Sequence, residues 1–330
     1  MSWFNFSFHD FAVSFLSVLL EGVPFLLLGS LLSGLVDVFV SPERITRMLP
    51  SRPGAAICFV GLLGLIFPMC ECGSVVVIRR FLKKGLPLSY ATTYMLGAPI
   101  VSPIVALSTW QAFSQSTQPE PAVMTALRLG IGYLLAVGVG FIVQTLPRER
   151  LLSAAMLSES STNRRQGLSI AAAPDQTPQP ANLGFGGKLL MAVQSATSDF
   201  LDVGFFFVIG TAITSVFNTG IRQEVLTVFA GSPLASIAAL MVLAALLALC
   251  SSTDAFVAWT FTAFSPAAKL GFLLFGPMFD LKLFWLYGLV FNKRAVACLG
   301  LGLFALIALL CWRLDALQIF GGGANVGGGL

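Results

Sequence analysis

The sequence predicts an all-α, polytopic membrane protein: about eight transmembrane helices in two homologous four-helix halves, with broken or re-entrant helices. The first observation behind this prediction is composition, since 56% of the 330 residues are hydrophobic and only 10% are charged. A soluble domain has about a quarter of its residues charged, so the deficit predicts a surface that mostly faces lipid. The net charge of +4 is spread over short loops, which excludes nucleic acid as a partner.

The second observation is a series of apolar segments close to the ~20 residues that a transmembrane helix needs. They form a first membrane repeat at 1–146 and a second at 188–315. The polar stretch between them, 147–187, cannot build a core and is predicted to be a disordered linker, and 316–330 is a Gly-rich tail. The N-terminus lacks the basic region and cleavage site of a signal peptide, so we expect its apolar segment to be retained. The segments are 11–40, 55–81, 87–113, 122–146, 189–217, 234–264, 267–291 and 295–312.

The third observation is that the two halves repeat polar and proline positions in the same order. The sequence separation between matching residues decreases by one residue at a time along the chain. Chance similarity between apolar segments is the alternative explanation. Internal duplication is typical of secondary transporters, whose substrate site lies between the halves near the middle of the bilayer. The matches are Glu21, Gly29 and Ser30 with Asp202, Gly210 and Thr211; Cys70 to Ser74 with Cys250 to Asp254; Pro87 with Pro266; and Pro99 with Pro277.

Basic residues indicate the orientation only weakly. A cytoplasmic linker places Arg79 and Arg80 on its own side of the membrane and Arg128 among the basic residues of the opposite side. The resulting excess of positive charge beside the linker is small. We therefore keep re-entrant hairpins as the alternative to full membrane crossings for some of these segments.

The first candidate site is the sequence Phe-Pro-Met-Cys-Glu-Cys-Gly-Ser at 67–74, in the middle of the second apolar segment. Proline and glycine weaken a helix, and backbone groups freed at membrane depth are tolerated only beside protein or a water-filled cavity. The thiols of Cys70 and Cys72 suit soft metal ions, with Cys250 as a third ligand and Glu71 beside them. The alternatives are small buried residues at a helix break, or redox chemistry of the two thiols. The other cysteines, Cys58, Cys298 and Cys311, are interpreted as small apolar residues.

The second candidate site begins at Cys250 and continues through Ser251, Ser252, Thr253 and Asp254. The hydroxyl groups either face a cargo or bond back to the preceding turn of their own helix. An acid inside a membrane segment normally faces a cavity or a partner. Asp254 is therefore a candidate proton carrier.

The third candidate site is a pair of Gly/Pro interruptions, which in corresponding positions of two halves indicate a transporter's binding site. The first contains Pro99 and Ser102, and the second contains Pro277 and Asp280. Hinges needed only for packing are the alternative. Asp280 and Lys282 are two residues apart and so fall on different faces of a helix. Lys282 is instead expected to pair with Asp254, Glu71 or Asp202.

Two further acids hold matching positions in the first segment of each half. Glu21 and Asp202, together with Lys282, are candidates for proton or charge coupling; the alternative is that both acids lie at the membrane interface. Asp199 lies one turn before Asp202 and could face the same way.

These motifs resemble the bacterial predicted permeases of the UPF0718 family, which are grouped with the ArsP-type organoarsenical efflux permeases. The resemblance covers both membrane halves, roughly 20–310, and excludes the linker and the tail. It implies a multi-pass permease of the bacterial plasma (inner) membrane. Arsenical-type members have serine between the two cysteines, so Glu71 suggests a more cationic cargo. The motifs that carry the resemblance are at 67–74, 79–88, 95–109, 249–256 and 269–282.

The leading hypothesis is a secondary permease that exports a soft metal or metalloid species such as a trivalent arsenical. Cys70, Cys72 and Cys250 would bind this cargo transiently, while Glu71, Asp254 and Asp280 balance charge or carry protons. The alternative is a membrane subunit or channel component that works only with a partner protein and whose substrate is not a metal. No catalytic triad or nucleotide fingerprint occurs, so we expect no enzyme and no cofactor, with the bilayer and a small substrate as partners.

Overall fold

The chain folds into helices in a computed structural model that describes residues 8–39, 50, 52–67, 69–83, 85–114, 120–153, 185–220 and 232–317. Within these ranges there is no β-strand, only an isolated bridge between Leu152 and Phe291. The helices are α1 (Phe8–Phe39), α2 (Pro53–Leu62), α3 (Glu71–Lys83), α4 (Leu88–Gly97), α5 (Pro103–Phe113), α6 (Pro121–Thr145), α7 (Arg148–Leu151), α8 (Phe185–Gly220), α9 (Pro233–Leu247), α10 (Asp254–Thr260), α11 (Pro266–Met278), α12 (Leu281–Tyr287) and α13 (Lys293–Ala316).

Five helical stretches of the described residues are long and apolar enough to cross a membrane. Large apolar side chains face outward on them: Leu190 is 71% exposed and Leu301 is 72% exposed. Because water would not favour such surfaces, they indicate contact with lipid, and the chain is a multi-pass membrane protein. The five stretches are Phe8–Leu35, Pro121–Thr145, Gly186–Val216, Pro266–Tyr287 and Lys293–Ala316.

Four of the eight predicted apolar segments are divided into shorter helices, as the prediction of broken helices implied. Segment 55–81 is divided into α2 and α3, 87–113 into α4 and α5, 234–264 into α9 and α10, and 267–291 into α11 and α12. The resulting helices have 7 to 15 residues, fewer than the ~20 that span the hydrocarbon. The breaks themselves, at all three candidate sites, were predicted.

Local sequence explains where the short helices begin and end. Proline occupies the first position of α2, α5, α9 and α11, where its missing N–H costs nothing. Ser102 caps α5 by accepting a hydrogen bond from the amide of Ile104, and Asp280 caps α12 by accepting from the amide of Leu283. Helix α9 ends at Leu247, and the next residue, Ala248, has φ +47°, a left-handed conformation that costs a non-glycine residue roughly 1–2 kcal/mol.

The long helices α1 and α8 lie antiparallel and in close contact. A Cβ added at Gly22 would meet the ring of Phe207, and one added at Gly34 would meet the carbonyl oxygen of Ala192. Small residues permit such close approach of helices in membranes. One buried apolar cluster joins α1 and α8 to α3 and α12, and a second is centred on α9, α11 and α13.

Residues at both ends of the predicted linker, 147–187, belong to described helices. Residues 148–151 form α7, Leu152 is buried, and the amide of Ser153 donates to the carbonyl oxygen of Val290. At the other end, α8 already begins at Phe185. Leu151 also contacts the segment that follows α12, since the amide of Asn292 donates to its carbonyl oxygen. Residues 154–184 and 318–330, which contain the rest of the linker and most of the predicted tail, lie outside the described residues.

Candidate functional site

A narrow pocket lies where α1, α8 and α12 meet the start of α3 and the break after α9. Its empty space, including its mouth, amounts to about 260 Å³. It therefore joins residues of the first and second candidate sites, which are far apart in the sequence. The lining residues are Val18, Glu21, Gly22, Cys70, Glu71, Cys72, Phe207, Cys250 and Lys282.

The three candidate thiols all reach this pocket. Cys70 directly precedes α3, and its Sγ accepts a hydrogen bond from the amide of Gly73 at 3.3 Å. Cys250 lies between α9 and α10, and its Sγ accepts from the hydroxyl group of Ser252 at 3.6 Å. All three, including Cys72, are free cysteines. Because α3 begins here, its unpaired amides also favour negative charge at this end of the pocket.

Lys282 is the cation of the pocket, and Glu71 is its principal acid. The two side chains are 4% and 1% exposed, and Lys282 Nζ lies 3.2 Å from Glu71 Oε1. Lys282 Nζ also donates to the carbonyl oxygen of Ala248 at 2.8 Å and lies 3.5 Å from Asp280 Oδ2. The hydroxyl group of Ser251 lies 3.5 Å from Glu71 Oε2. A buried charge needs such partners because desolvation is costly.

The predicted pairing of Lys282 with Glu71 is confirmed, whereas the argument against a pair with Asp280 was wrong. That argument assumed that both residues lie within one helix. Asp280 instead precedes α12 with an extended backbone, φ −136° and ψ 177°. Its side chain therefore lies over the first turn of α12, which contains Lys282.

A second buried charge pair lies beside the pocket and was not predicted. Arg128 of α6 is fully buried, and its NH2 donates to Asp254 Oδ2 at 2.7 Å and to the carbonyl oxygen of Ser251 at 3.0 Å. Its NH1 donates to the hydroxyl group of Thr109 at 2.8 Å. Its placement among the basic residues of the side opposite the linker did not foresee this burial, in which an acid from the other half pairs with it inside the protein. The sequence did contain a signal for this pair. Arg128 is the lone arginine in apolar segment 122–146, and an ionisable residue within a membrane segment normally has a partner.

The matching acids Glu21 and Asp202 have different surroundings. Glu21 lines the pocket, and its Oε1 accepts a hydrogen bond from the hydroxyl group of Thr253 at 3.0 Å. Asp202 is not among the pocket residues; its Oδ2 lies 3.0 Å from Arg79 NH1. Of the two, only Glu21 shares the pocket with Lys282.

Arg79 and Arg80 belong to α3. Arg80 Nε lies 2.8 Å from Asp199 Oδ2, which also accepts from the hydroxyl group of Ser33. These contacts fasten the end of α3 to α8 because opposite charges on adjacent helices attract.

The remaining predicted residues lie at the helix breaks rather than along the pocket. Pro99 is buried in the turn between α4 and α5, and Ser102 caps α5. Pro277 lies inside the last turn of α11. Ser251 and Asp254 are buried, while Ser252 is half-buried and Thr253 is exposed.

Among the described residues, no group of three or more His, Cys, Asp or Glu side chains is arranged to hold a metal ion. The thiols share a pocket without forming a closed metal site, which would need about four ligands at fixed geometry. Their role as ligands of a transient cargo remains a prediction.

A family model described as "Predicted permease" matches residues 7–312. The chain belongs to this permease family. Family membership and the multi-pass helical fold together indicate a membrane permease or a subunit of one.

Two relatives cover most of this permease. The chain is 32% identical over 294 residues to the UPF0718 protein YcgR of Bacillus subtilis, covering 88% of the chain and 92% of the relative. It is 31% identical over 269 residues to a Streptococcus mutans serotype c protein named as a two-component membrane permease complex subunit, covering 81% and 82%. No solved structure matches the chain.

Proposed function

We propose that the protein is a secondary permease of the bacterial inner membrane that exports a soft metal or metalloid species, such as a trivalent arsenical. The observation that carries the proposal is the meeting of Cys70, Cys72 and Cys250 with Glu71 at one pocket inside a permease. Thiol sulfur prefers soft cations. A cargo must also leave, and thiols that do not form a closed site suit transient binding better than permanent binding.

The helix breaks support this proposal because they explain how polar groups exist at membrane depth. Cys70 precedes α3, Asp254 begins α10 and Asp280 caps α12. Broken helices that present their ends to a cargo are typical of secondary transporters. In this proposal Ser251, Ser252 and Thr253 contact the cargo or its water, while Glu21 and Lys282 adjust charge as it enters.

The duplication of the two halves is part of the same proposal. Each half contains, in order, a long helix, two broken segments and a long helix. In addition, α2 packs on α4 and α6, as α9 packs on α11 and α13. A duplicated architecture would place the cargo between the halves, where the pocket lies.

Loss of the thiols should abolish resistance without preventing folding. A deletion strain complemented with the wild-type chain is challenged with arsenicals, antimony, copper and zinc, and cell metal content is measured. We expect Cys70→Ser and Cys250→Ser to lower tolerance to the cargo at least tenfold, because oxygen is a poor ligand for soft ions. Cys298→Ser, at an exposed position outside the pocket, should behave as wild type. Unchanged tolerance and metal content across the panel, with or without the chain, would refute a soft cargo.

A second candidate function is that of a subunit that acts only with a partner protein. The name of the Streptococcus mutans relative favours it, since that protein is called a subunit of a two-component membrane permease complex. Purified chain reconstituted into liposomes separates the two candidates. Cargo movement by the chain alone supports the independent permease, whereas movement only after addition of a co-purified membrane protein supports the subunit.

A further inference from the structure

The contacts of Lys282 suggest how the pocket selects and releases its cargo, and the inference rests on the function proposed above. Lys282 Nζ lies between two carboxylates, 3.2 Å from Glu71 Oε1 and 3.5 Å from Asp280 Oδ2. In their ionised forms these two acids and one ammonium group leave one negative charge uncompensated. A buried excess charge attracts a cation.

Only one of the two acids faces the thiols. Glu71, Lys282, Cys70 and Cys250 line the pocket, whereas Asp280 is fully buried behind it and is not among the lining residues. A cation held by the thiols would therefore approach Glu71. The ammonium group of Lys282 already lies against the carboxylate of Glu71. A cation bound at the same carboxylate would be repelled by this ammonium group, so the two compete for Glu71.

Asp280 offers Lys282 a second position. Its Oδ1 accepts a hydrogen bond from the amide of Leu283 at 2.6 Å, while its buried Oδ2 makes no hydrogen bond within the described part of the chain. This oxygen lies 3.5 Å from Lys282 Nζ, a distance slightly too long for a strong hydrogen bond. A small movement of Lys282 Nζ towards Asp280 Oδ2 would give this oxygen a hydrogen-bond donor.

The carbonyl oxygen of Ala248 provides a fixed contact for both positions. The left-handed backbone at Ala248 ends α9, and its carbonyl oxygen accepts from Lys282 Nζ at 2.8 Å. A left-handed non-glycine residue is strained, and such strain is retained at functional sites. The ammonium group can thus turn from Glu71 towards Asp280 without losing its shortest hydrogen bond.

We propose that Lys282 is an internal competitor of a cationic cargo: its ammonium group shares Glu71 with the cargo and transfers to Asp280 when the cargo binds beside Cys70 and Cys250. The cargo is then a soft species that carries a positive charge, and neutral trivalent species bind more weakly. The return of Lys282 to Glu71 favours release.

Cu(I) is the probe for this proposal because it is a soft monovalent cation. Its affinity for the purified full chain is measured by competition with a chromophoric chelator. Lys282→Met removes the competitor and should tighten Cu(I) binding at least tenfold, with slower release from proteoliposomes. Lys269→Met, which removes another largely buried lysine outside the pocket, should leave the affinity as in wild type.

A double variant separates competition from a simple change of charge and also serves if Lys282→Met does not fold. Lys282→Met combined with Asp280→Asn keeps Glu71 and the same net charge as the wild-type cluster, but has no ammonium group. Tighter binding than wild type supports competition, whereas unchanged or weaker binding in the folded double variant overturns the proposal. A folded wild-type chain that binds no Cu(I) and transports no soft species would instead refute the proposed function itself.

Discussion

At the scale of single residues, two clusters of buried charged groups meet at Ser251. Its hydroxyl group lies 3.5 Å from Glu71 Oε2, and its carbonyl oxygen accepts from Arg128 NH2 at 3.0 Å. The turn that contains Cys250 is thus held between Lys282 and Glu71 on one side and Arg128 and Asp254 on the other. Arg128 is a positioning residue, since it does not line the pocket but fixes the backbone of a segment that does.

Replacement of Arg128 should therefore destabilise the protein and displace Cys250. Arg128→Met leaves Asp254 buried without its partner, at a cost of ~3–5 kcal/mol, and should lower the melting temperature in detergent. Arg128→Met with Asp254→Leu should recover most of the stability, because no buried charge remains. The rate of Cys250 alkylation should rise in both variants, and exposed Arg313→Met should change neither property. An alkylation rate equal to wild type in both variants would contradict a positioning role.

At the scale of helices, the position of α3 depends on close contact with α1. A Cβ added at Gly29 would lie 2.7 Å from the Cα of Gly73, and real Cβ atoms do not approach backbone so closely. Gly73 immediately follows Cys72, so this contact sets the depth at which the thiols face the pocket. Small residues thus determine the geometry of the site without touching its cargo.

A methyl group at Gly29 should separate α1 from α3 and loosen the pocket. We expect Gly29→Ala to lower the melting temperature and the affinity for cargo together. Gly130→Ala is the matched control, since a Cβ at this helical position meets nothing within 4 Å, and alanine favours a helix by ~1 kcal/mol over glycine. Equal melting temperatures for the two variants would show that the contact is unimportant.

The sequence predicted the breaks better than it predicted the pairs across them. Proline, glycine and capping residues act on the nearest turn, so the interruptions at 67–74, 96–103 and 275–282 could be located from local chemistry. The partner of Arg128, by contrast, is 126 residues away and becomes its neighbour only through packing of the two halves. The prediction that Asp280 and Lys282 would not pair was wrong for a related reason. Helix periodicity does not apply to Asp280, because it is a capping residue that precedes α12.

At the scale of the whole molecule, the two halves are joined along α1 and α8 and again through the buried charges. Leu26 faces Gly204, and Ser33 faces Asp199, so residue numbers increase along one helix as they decrease along the other. The pocket lies beside this contact, with Phe207 and Gly22 in its wall. Relative movement of α1 and α8 would therefore alter the pocket directly.

Cross-linking tests this antiparallel register in the membrane. Leu26→Cys with Gly204→Cys should react efficiently with a short bifunctional thiol reagent, because a Cβ at Gly204 would lie 3.8 Å from Leu26. Leu26→Cys with Ala192→Cys should not, since Ala192 lies opposite Gly34, about 12 Å further along the helix. Mass spectrometry of the cross-linked peptides distinguishes these products from those of the native thiols. Comparable yields for the two pairs would contradict the register.

The Arg128–Asp254 contact also has a consequence for biogenesis. Translation proceeds from the N-terminus, so α6 is delivered to the bilayer before the ribosome has made its acid, which lies in the other half. An isolated arginine costs about 2.5–3.5 kcal/mol at the centre of a transmembrane helix on translocon scales, and Arg128 lies between this centre and the start of α6. We therefore expect the first half alone to integrate poorly, or to be retained beside the translocon, until the second half supplies Asp254.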